Sequence, residues 1–262
     1  MRRIEKYLLD IPGTLVVADK KTTHNRRKEL IAKGAYIDEP KYNSRYKTSD
    51  IKDKLNSIYH HKCAYCEDHA EQTHVDHYRP KKDYYWLAYS WDNLICSCPT
   101  CNQFKTNDFA IKGKKATPPK ITDDLSDINI WSSQKYDRQE KPMLLNPERD
   151  NLNDVFLFDM EGHIRSNNNS RADYTIEICH LDRKELVDER RKIVDDFRKA
   201  IVAEMSCLST EDEFICAVEV LTRDFLRNSE DITNTFTAYR KAAVEWLGDI
   251  INEIKVEKRN DE

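Results

Sequence analysis

Apolar residues recur at helical spacing in two parts of the chain. Ile51, Leu55 and Ile58 fall on one face of a helix that the pattern predicts over about residues 49–60. Two longer stripes follow residue 170, formed by Leu186, Ile193, Val194, Phe197 and Ile201 and by Tyr239, Ala243, Trp246, Leu247, Ile250 and Ile254. Such stripes are typical of helices that pack one face against a core. The C-terminal region is therefore predicted to be helical.

A less regular segment separates these helical parts. Residues 109–150 contain prolines at four positions, Pro118, Pro119, Pro142 and Pro147. This frequency predicts loops and turns. Phe156-Leu-Phe158, followed by Gly162 and Ile164, has the alternation and the turn glycine of a β-hairpin. We divide the sequence into a helical and polar N-terminal segment (1–60), a central core (61–108), a loop-rich segment with a hairpin (109–169) and a helical C-terminal region (170–262).

The composition agrees with a mostly helical fold and excludes some protein classes. Only 5 of 262 residues are glycine, and 34% are charged, which favours helices. The mean hydropathy is −0.81, and no apolar run approaches the ~18 residues that a membrane span requires. The beginning of the sequence also lacks the apolar stretch of a signal peptide. We therefore expect a cytoplasmic protein with reduced cysteines and no membrane partner.

Two Cys-x-x-Cys pairs bracket the central core. Cys63 and Cys66 form the first pair, and Cys98 and Cys101 form the second. Each short turn lets two sulfurs point at one ion, and two such turns complete a tetrahedral structural Zn²⁺ site. The alternatives are buried thiols or a redox pair, but two pairs around a polar cluster favour zinc. Cys96 is out of register with both pairs and is predicted to be a core residue.

The residues between and after the pairs suggest a second metal site of different character. Asp76 and His77 lie between the pairs, and Asn102 directly follows the last cysteine. Carboxylate and amide oxygens suit Mg²⁺ or Mn²⁺. A histidine with an ordinary pKa of about 6.5 suits the activation of a water molecule near pH 7. This combination predicts hydrolysis of a phosphodiester, whose negative oxygens need a cation for attack.

The pattern resembles the HNH (ββα-metal) endonucleases. In that family a two-stranded ribbon carries an Asp-His pair, and the following helix carries the last metal ligand. The resemblance implies that Asp76 and Asn102 bind the divalent metal and that His77 is the general base. It further implies that Asn93 orients His77 and that Lys105 faces the phosphate. The best-known pattern has histidine at the last metal-ligand position, where this chain has Asn102. Other members of the family also have asparagine there. The implied fold is α+β and mostly helical, with a zinc-bracketed ββα-metal core between helical N-terminal and C-terminal parts.

The overall charge is unusual for a protein that binds nucleic acid alone. The formal net charge is −4 and the isoelectric point is about 6.1, whereas such proteins are usually basic. Local positive charge occurs next to the Asp-His pair, where Arg79 and Lys81 are candidate contacts to the substrate. A solvated loop explains a short basic run equally well. The acidic balance indicates that a partner helps to hold the substrate.

A narrower resemblance extends over about residues 1–195. The order Cys-Ala-Tyr-Cys-Glu, Asp-His-Tyr-Arg-Pro-Lys, Leu-Asn-Pro and Thr-Ile…Leu-Asp-Arg is similar to the HNH effectors (PtuB-type) of retron- and Septu-type anti-phage systems. This resemblance implies a nucleic-acid substrate and a complex with an ABC/SMC-like ATPase (PtuA-type). For the retron type it also implies a reverse transcriptase with its RNA–DNA product.

Two other functions stay open at this point. A zinc-ribbon-like binding module without catalysis predicts that Asp76, His77 and Asn102 share no common focus. An HNH nuclease of a restriction or mobile-element system predicts a gene neighbourhood that contains a methyltransferase rather than an ATPase. The sequence does not distinguish DNA from RNA as the target.

Overall fold

The computed structural model describes residues 1–16, 21–207 and 210–261, and most of them are helical. The helices are α1 (Lys21–Lys33), α2 (Pro40–Asn43), α3 (Ser49–Tyr59), α4 (Pro99–Lys105), α5 (Asp137–Glu140), α6 (Ser170–Cys179), α7 (Lys184–Cys207), α8 (Glu211–Glu230), α9 (Thr237–Ala243) and α10 (Leu247–Asp261). The strands are β1 (His74–His77), β2 (Leu94–Ser97), β3 (Phe156–Phe158) and β4 (Ile164–Ser166). The fold is α+β and mostly helical, as predicted.

The central core is a two-stranded ribbon followed by a helix. Strands β1 and β2 pair antiparallel, so that His77 lies opposite Leu94 and His74 lies opposite Ser97. Helix α4 begins two residues after β2, and Cys98 caps it by accepting a hydrogen bond from the N–H of Cys101. Pro99 fits the first turn because its missing N–H has no partner there. This ββα order confirms the fold implied by the HNH resemblance.

The N-terminal segment contains more helix than the sequence predicts. Helix α3 confirms the stripe over residues 49–60, but α1 has no comparable stripe because Thr23 and Arg27 lie on its buried face beside Leu30. The Arg27 guanidinium reaches the core and donates a 2.6 Å hydrogen bond to the carbonyl of Tyr89. A helix that buries polar groups with hydrogen-bond partners leaves no hydrophobic periodicity to detect.

The predicted hairpin exists and lies against the long helix α7. Strands β3 and β4 pair antiparallel, with Phe158 opposite Ile164. Gly162 in the turn has φ of +93°, and a Cβ atom there would lie 2.3 Å from the carbonyl oxygen of Val187 on α7. Both the backbone conformation and the close approach require glycine.

The C-terminal helices pack against the cysteine side of the central core. Lys62, just before the first cysteine pair, donates to the carbonyl of Asn234 at 2.6 Å. The carboxylate of Glu67, just after the pair, accepts a hydrogen bond from the N–H of Ala238 at 3.2 Å. The apolar stripes predicted after residue 170 lie on α7, α9 and α10 and contribute to one continuous hydrophobic core. None of the described helices is both long and apolar enough to cross a bilayer.

Candidate functional site

The four cysteines of the two pairs converge on one point. The Sγ atoms of Cys63, Cys66, Cys98 and Cys101 all lie within 4.8 Å of one another, and all four side chains are buried. The Cys66 and Cys98 sulfurs are 3.9 Å apart. Tetrahedral Zn–S bonds of ~2.3 Å imply sulfur–sulfur distances of about 3.8 Å. The cluster therefore has the size and the donor set of a structural metal site.

Hydrogen bonds to the sulfurs favour thiolates in this cluster. The N–H of Tyr65 donates to Cys63 Sγ at 3.4 Å, and the N–H of Cys101 donates to Cys98 Sγ at 3.3 Å. The Arg183 guanidinium lies 3.5 Å from Cys101 Sγ and adds a positive charge. Metal binding requires deprotonated cysteines, and these donors stabilise them. Cys96 is buried outside the cluster and belongs to the hydrophobic core, as predicted.

A cavity of about 620 Å³ brings together three of the four predicted catalytic residues, without Asn93. It is lined by Asp76 and His77 from β1, by Asn102 from α4 and by residues of the N-terminal segment. Adjacent residues of a regular strand point to opposite faces. Asp76 and His77 nevertheless both line this cavity. A module without a common focus for these three residues is not supported by this arrangement.

The imidazole of His77 is held in one orientation. Its Nε2 lies 3.0 Å from the carbonyl oxygen of Ala88. Since a carbonyl only accepts hydrogen bonds, Nε2 carries the proton and Nδ1 keeps its lone pair. The ring of Tyr46 packs edge-on against it at 4.5 Å between centroids. Burial lowers the pKa of His77 to about 3, so the imidazole is neutral near pH 7.

Asn93 contacts the loop that carries Ala88 rather than the imidazole. Its Oδ1 accepts from the N–H of Arg79 at 2.8 Å, and its Nδ2 donates to the carbonyls of Arg79 at 3.0 Å and Leu87 at 3.3 Å. The side chain thus joins the two ends of the loop between β1 and β2. Leu87 directly precedes the residue whose carbonyl holds His77. Asn93 is therefore connected to His77 only through the backbone of this loop.

Asp76 is buried and its carboxylate is oriented by two donors. Tyr65 Oη donates to Oδ2 at 2.7 Å, and Lys105 Nζ lies 3.3 Å from Oδ1. A carboxylate offers about four acceptor sites. Two of them remain for a metal ion in the cavity, so the donor set fits the predicted site.

The surroundings of Lys105 do not support its predicted contact with a phosphate. Its side chain is only 1% exposed, and Nζ donates to the carbonyl of His77 at 2.9 Å as well as to Asp76. An ammonium that is enclosed in this way has no free surface toward a substrate. Because it links the end of α4 to the last two residues of β1, Lys105 positions Asp76. This structural role replaces the phosphate contact that was expected for Lys105.

Asn102 is half-buried in the lining of the same cavity. Its Nδ2 lies 3.3 Å from Nδ1 of His74, a residue to which the sequence assigns no role. With Nδ2 turned to His74, the amide oxygen Oδ1 is the atom available to a cation. Divalent metals such as Mg²⁺ and Mn²⁺ prefer such oxygen ligands. Asp76 and Asn102 thus offer two oxygen ligands to one cavity.

The position of Arg79 likewise does not support its predicted contact with the substrate. The side chain is fully buried and forms ion pairs with Glu140 at 2.7 Å and Asp137 at 2.8 Å. Arg79 Nη1 also donates to Ser132 Oγ at 2.5 Å. A guanidinium with these partners holds the loop-rich segment against the core and does not reach the cavity. We do not retain a substrate contact for Arg79.

Lys81 lies on the wall of the cavity, as its predicted role requires. Its Nζ donates to Tyr46 Oη at 2.9 Å and to Asn43 Oδ1 at 3.1 Å, and Asp38 lies 3.9 Å away. Two further lysines, Lys47 and Lys52, line the same cavity. The sequence does not reveal these two lysines as site residues, because they lie in the N-terminal segment and no motif links that segment to the Asp-His pair.

Comparison with known proteins agrees with this geometry. Residues 63–108 match the family model of the HNH endonucleases. Over 218 residues the chain is 28% identical to the Septu protein PtuB of Bacillus mycoides (strain KBAB4), an alignment that covers 76% of this chain and 70% of that protein. The match begins at the first cysteine of the cluster and includes Asp76, His77, Asn93 and Asn102. The chain therefore carries an HNH endonuclease domain, which makes it a hydrolase of nucleic acids, and it is similar over most of its length to a Septu protein.

Proposed function

We propose that this chain is a metal-dependent HNH endonuclease that cuts the phosphodiester bonds of nucleic acid, with DNA favoured over RNA as the substrate. In this proposal it is the nuclease effector of an anti-phage defence complex. The observation that carries the proposal is the common cavity of Asp76, His77 and Asn102. The similarity to a Septu protein supports the defence role.

In the proposed mechanism His77 is the general base. Its Nδ1 accepts the proton of a water molecule, while Nε2–H stays bonded to the carbonyl of Ala88. Asn93 keeps that carbonyl in place through the loop backbone. The resulting hydroxide attacks phosphorus in line with the leaving oxygen.

The metal ligands in this proposal are Asp76 and Asn102. A bound Mg²⁺ or Mn²⁺ supplies Lewis-acid stabilisation of the negative charge that grows on the phosphate and on the leaving oxygen. The contacts of Tyr65 and Lys105 hold the Asp76 carboxylate before any ion binds. Such preorganisation reduces the cost of assembling the site. Zn²⁺ in the cysteine cluster would have a separate, structural role, because it would fix the start of α4, with Cys98 and Cys101, to the segment between α3 and β1, with Cys63 and Cys66.

We further propose that the nuclease works with an ABC/SMC-like ATPase and, if its system is of the retron type, with a reverse transcriptase and its RNA–DNA product. A nuclease that acts in its own host needs a gate. The net charge of −4 supports a partner that supplies substrate affinity, because phosphate contacts dominate such affinity and require Lys or Arg. A cytoplasmic location, predicted from the reduced cysteines, is part of this proposal.

The experiment is incubation of the purified protein with DNA and RNA in Mg²⁺ or Mn²⁺, with and without the ATPase encoded next to it. We expect co-elution of the two proteins in size-exclusion chromatography and metal-dependent cutting by the complex. Separate elution with free cutting by the chain alone would support a self-sufficient HNH nuclease of a restriction or mobile-element system. No cutting of either nucleic acid by the complex would contradict the nuclease proposal.

A further inference from the structure

Most of the cavity is built from the HNH domain, but one part of its wall is not. The family match covers residues 63–108, but the wall that faces Asp76 and His77 comes from the N-terminal segment. Tyr46, Lys47 and Lys52 line this wall. Lys47 lies between α2 and α3, and Lys52 lies in the first turns of α3. We call these three residues the N-terminal wall.

The N-terminal wall is tied directly to the proposed base. The Tyr46 ring contacts the imidazole of His77 at 4.5 Å between centroids. The ammonium of Lys47 lies 5.5 Å from the centroid of the same tyrosine ring. Tyr46 is buried, so the contact fixes the position of the wall relative to the imidazole. Tyr46 therefore places the Lys47 ammonium on the His77 side of the cavity.

Neither lysine of the wall forms a close ion pair with a described residue, although Glu71 also lines the cavity. Both side chains are exposed, and no carboxylate of the described residues lies within 4 Å of either ammonium. Lys81 differs, because it bonds Asn43 and Tyr46 and has Asp38 nearby. Lys47 and Lys52 thus place two free positive charges at the proposed site of a protein whose net charge is −4. Exposed cations beside a cavity attract a polyanion.

We propose that Lys47 and Lys52 bind backbone phosphates that flank the scissile phosphate of the nucleic-acid strand. This inference rests on the proposed function and deepens it, since it assigns part of the substrate cleft to residues outside the HNH match. Each lysine–phosphate contact releases condensed counterions from the nucleic acid. The contacts carry no base information, because phosphates are the same in every sequence. Lys81 supports the wall through Tyr46.

The test is the salt dependence of binding to labelled single-stranded DNA, duplex DNA and RNA, measured by fluorescence anisotropy without added divalent cation. The variants are Lys47→Gln, Lys52→Gln and the double variant. The matched controls are Lys28→Gln and Lys33→Gln, which remove exposed charges of α1 outside the cavity lining. Each single substitution, in wall variants and controls alike, removes one positive charge. A difference in the salt dependence between them therefore reports a local contact with the nucleic acid rather than the change in net charge.

On duplex DNA, each wall substitution is expected to make the negative slope of log K against log salt shallower by about 0.9. Between about 200 and 50 mM salt, the ratio of wild-type to variant affinity then grows about 3.5-fold for one lysine and about 12-fold for two. The controls are expected to leave the slope unchanged. Equal slopes for wall variants and controls would overturn the inference, as would a wild-type protein without affinity for any of the three probes. Binding with the expected slopes but without cutting in Mg²⁺ or Mn²⁺ would support the inference and contradict the proposed nuclease.

Discussion

A substitution of Arg79 distinguishes a structural role from a contact with the substrate. The sequence places this residue beside the Asp-His pair, whereas the structure buries it. Its guanidinium has no exposed surface and pairs with Glu140, which is also fully buried, and with the partly exposed Asp137. Glu140 accepts further hydrogen bonds from Tyr84 Oη at 2.9 Å and from the N–H of Ala116 at 2.7 Å. The pair thus joins the end of β1 to the loop-rich segment.

Substitution Arg79→Met keeps an apolar stem and removes the charge. Glu140 is then left as a buried carboxylate without a cation, which costs about 3–5 kcal/mol of unfolding free energy. Asp137 adds little, because it is partly exposed and also pairs with Arg149 at 3.0 Å. For a chain of this size the loss corresponds to a fall in melting temperature of about 10 °C. In the double variant Arg79→Met/Glu140→Gln the buried charge disappears, and we expect about 2 kcal/mol of that loss to be recovered.

The assay is urea unfolding followed by both tryptophan fluorescence and far-UV circular dichroism. Coincident transitions justify a single free energy for each variant. Nucleic-acid affinity, measured well below the melting temperature of the variant, is expected to equal that of the wild type. An Arg79→Met protein with unchanged unfolding and lost affinity would refute this reasoning and restore the substrate contact.

Three further predictions concern the zinc cluster, the hairpin and the divalent metal. Cys63→Ser is expected to lose bound zinc and fold poorly, because a structural zinc contributes folding free energy of order 10 kcal/mol; elemental analysis of wild type and variant checks this, and a zinc-free wild type would contradict it. Gly162→Ala forces a Cβ atom into Val187 at a positive φ and should cost more than the ~1 kcal/mol of an ordinary glycine change; thermal unfolding decides. Asp76→Ala and Asn102→Ala should weaken Mn²⁺ binding in a calorimetric titration without loss of zinc, and unchanged Mn²⁺ affinity in both would remove them as ligands.

The core of the site is predictable because its residues are close in sequence. Cys63, Cys66, Cys98 and Cys101 come in short turns whose spacing alone defines a tetrahedral cluster. The ribbon and the helix that follow have local patterns as well. The structure confirms both the ββα order and the convergence of the cysteines.

The parts that the sequence does not predict depend on contacts between distant segments. Lys105 follows a motif that suggests a phosphate contact, but only the packing of α4 against β1 reveals that its ammonium is enclosed. Arg79 meets Glu140 across 61 residues of sequence. Helix α1 is hidden because its buried face includes Arg27, whose partner is a distant carbonyl. The side of the cavity formed by Lys47 has no local motif at all.

The rate of cutting by His77→Ala tests the central claim most directly. The claim is that one imidazole, held by the carbonyl of Ala88, activates the attacking water. Single-turnover cleavage of labelled DNA and RNA in Mg²⁺ or Mn²⁺ is compared for wild type and variant, with substrate affinity and zinc content measured on the same samples. We expect a rate about 10²–10⁴-fold lower, with zinc and affinity retained. A folded, zinc-loaded His77→Ala protein that cuts at the wild-type rate would contradict the account.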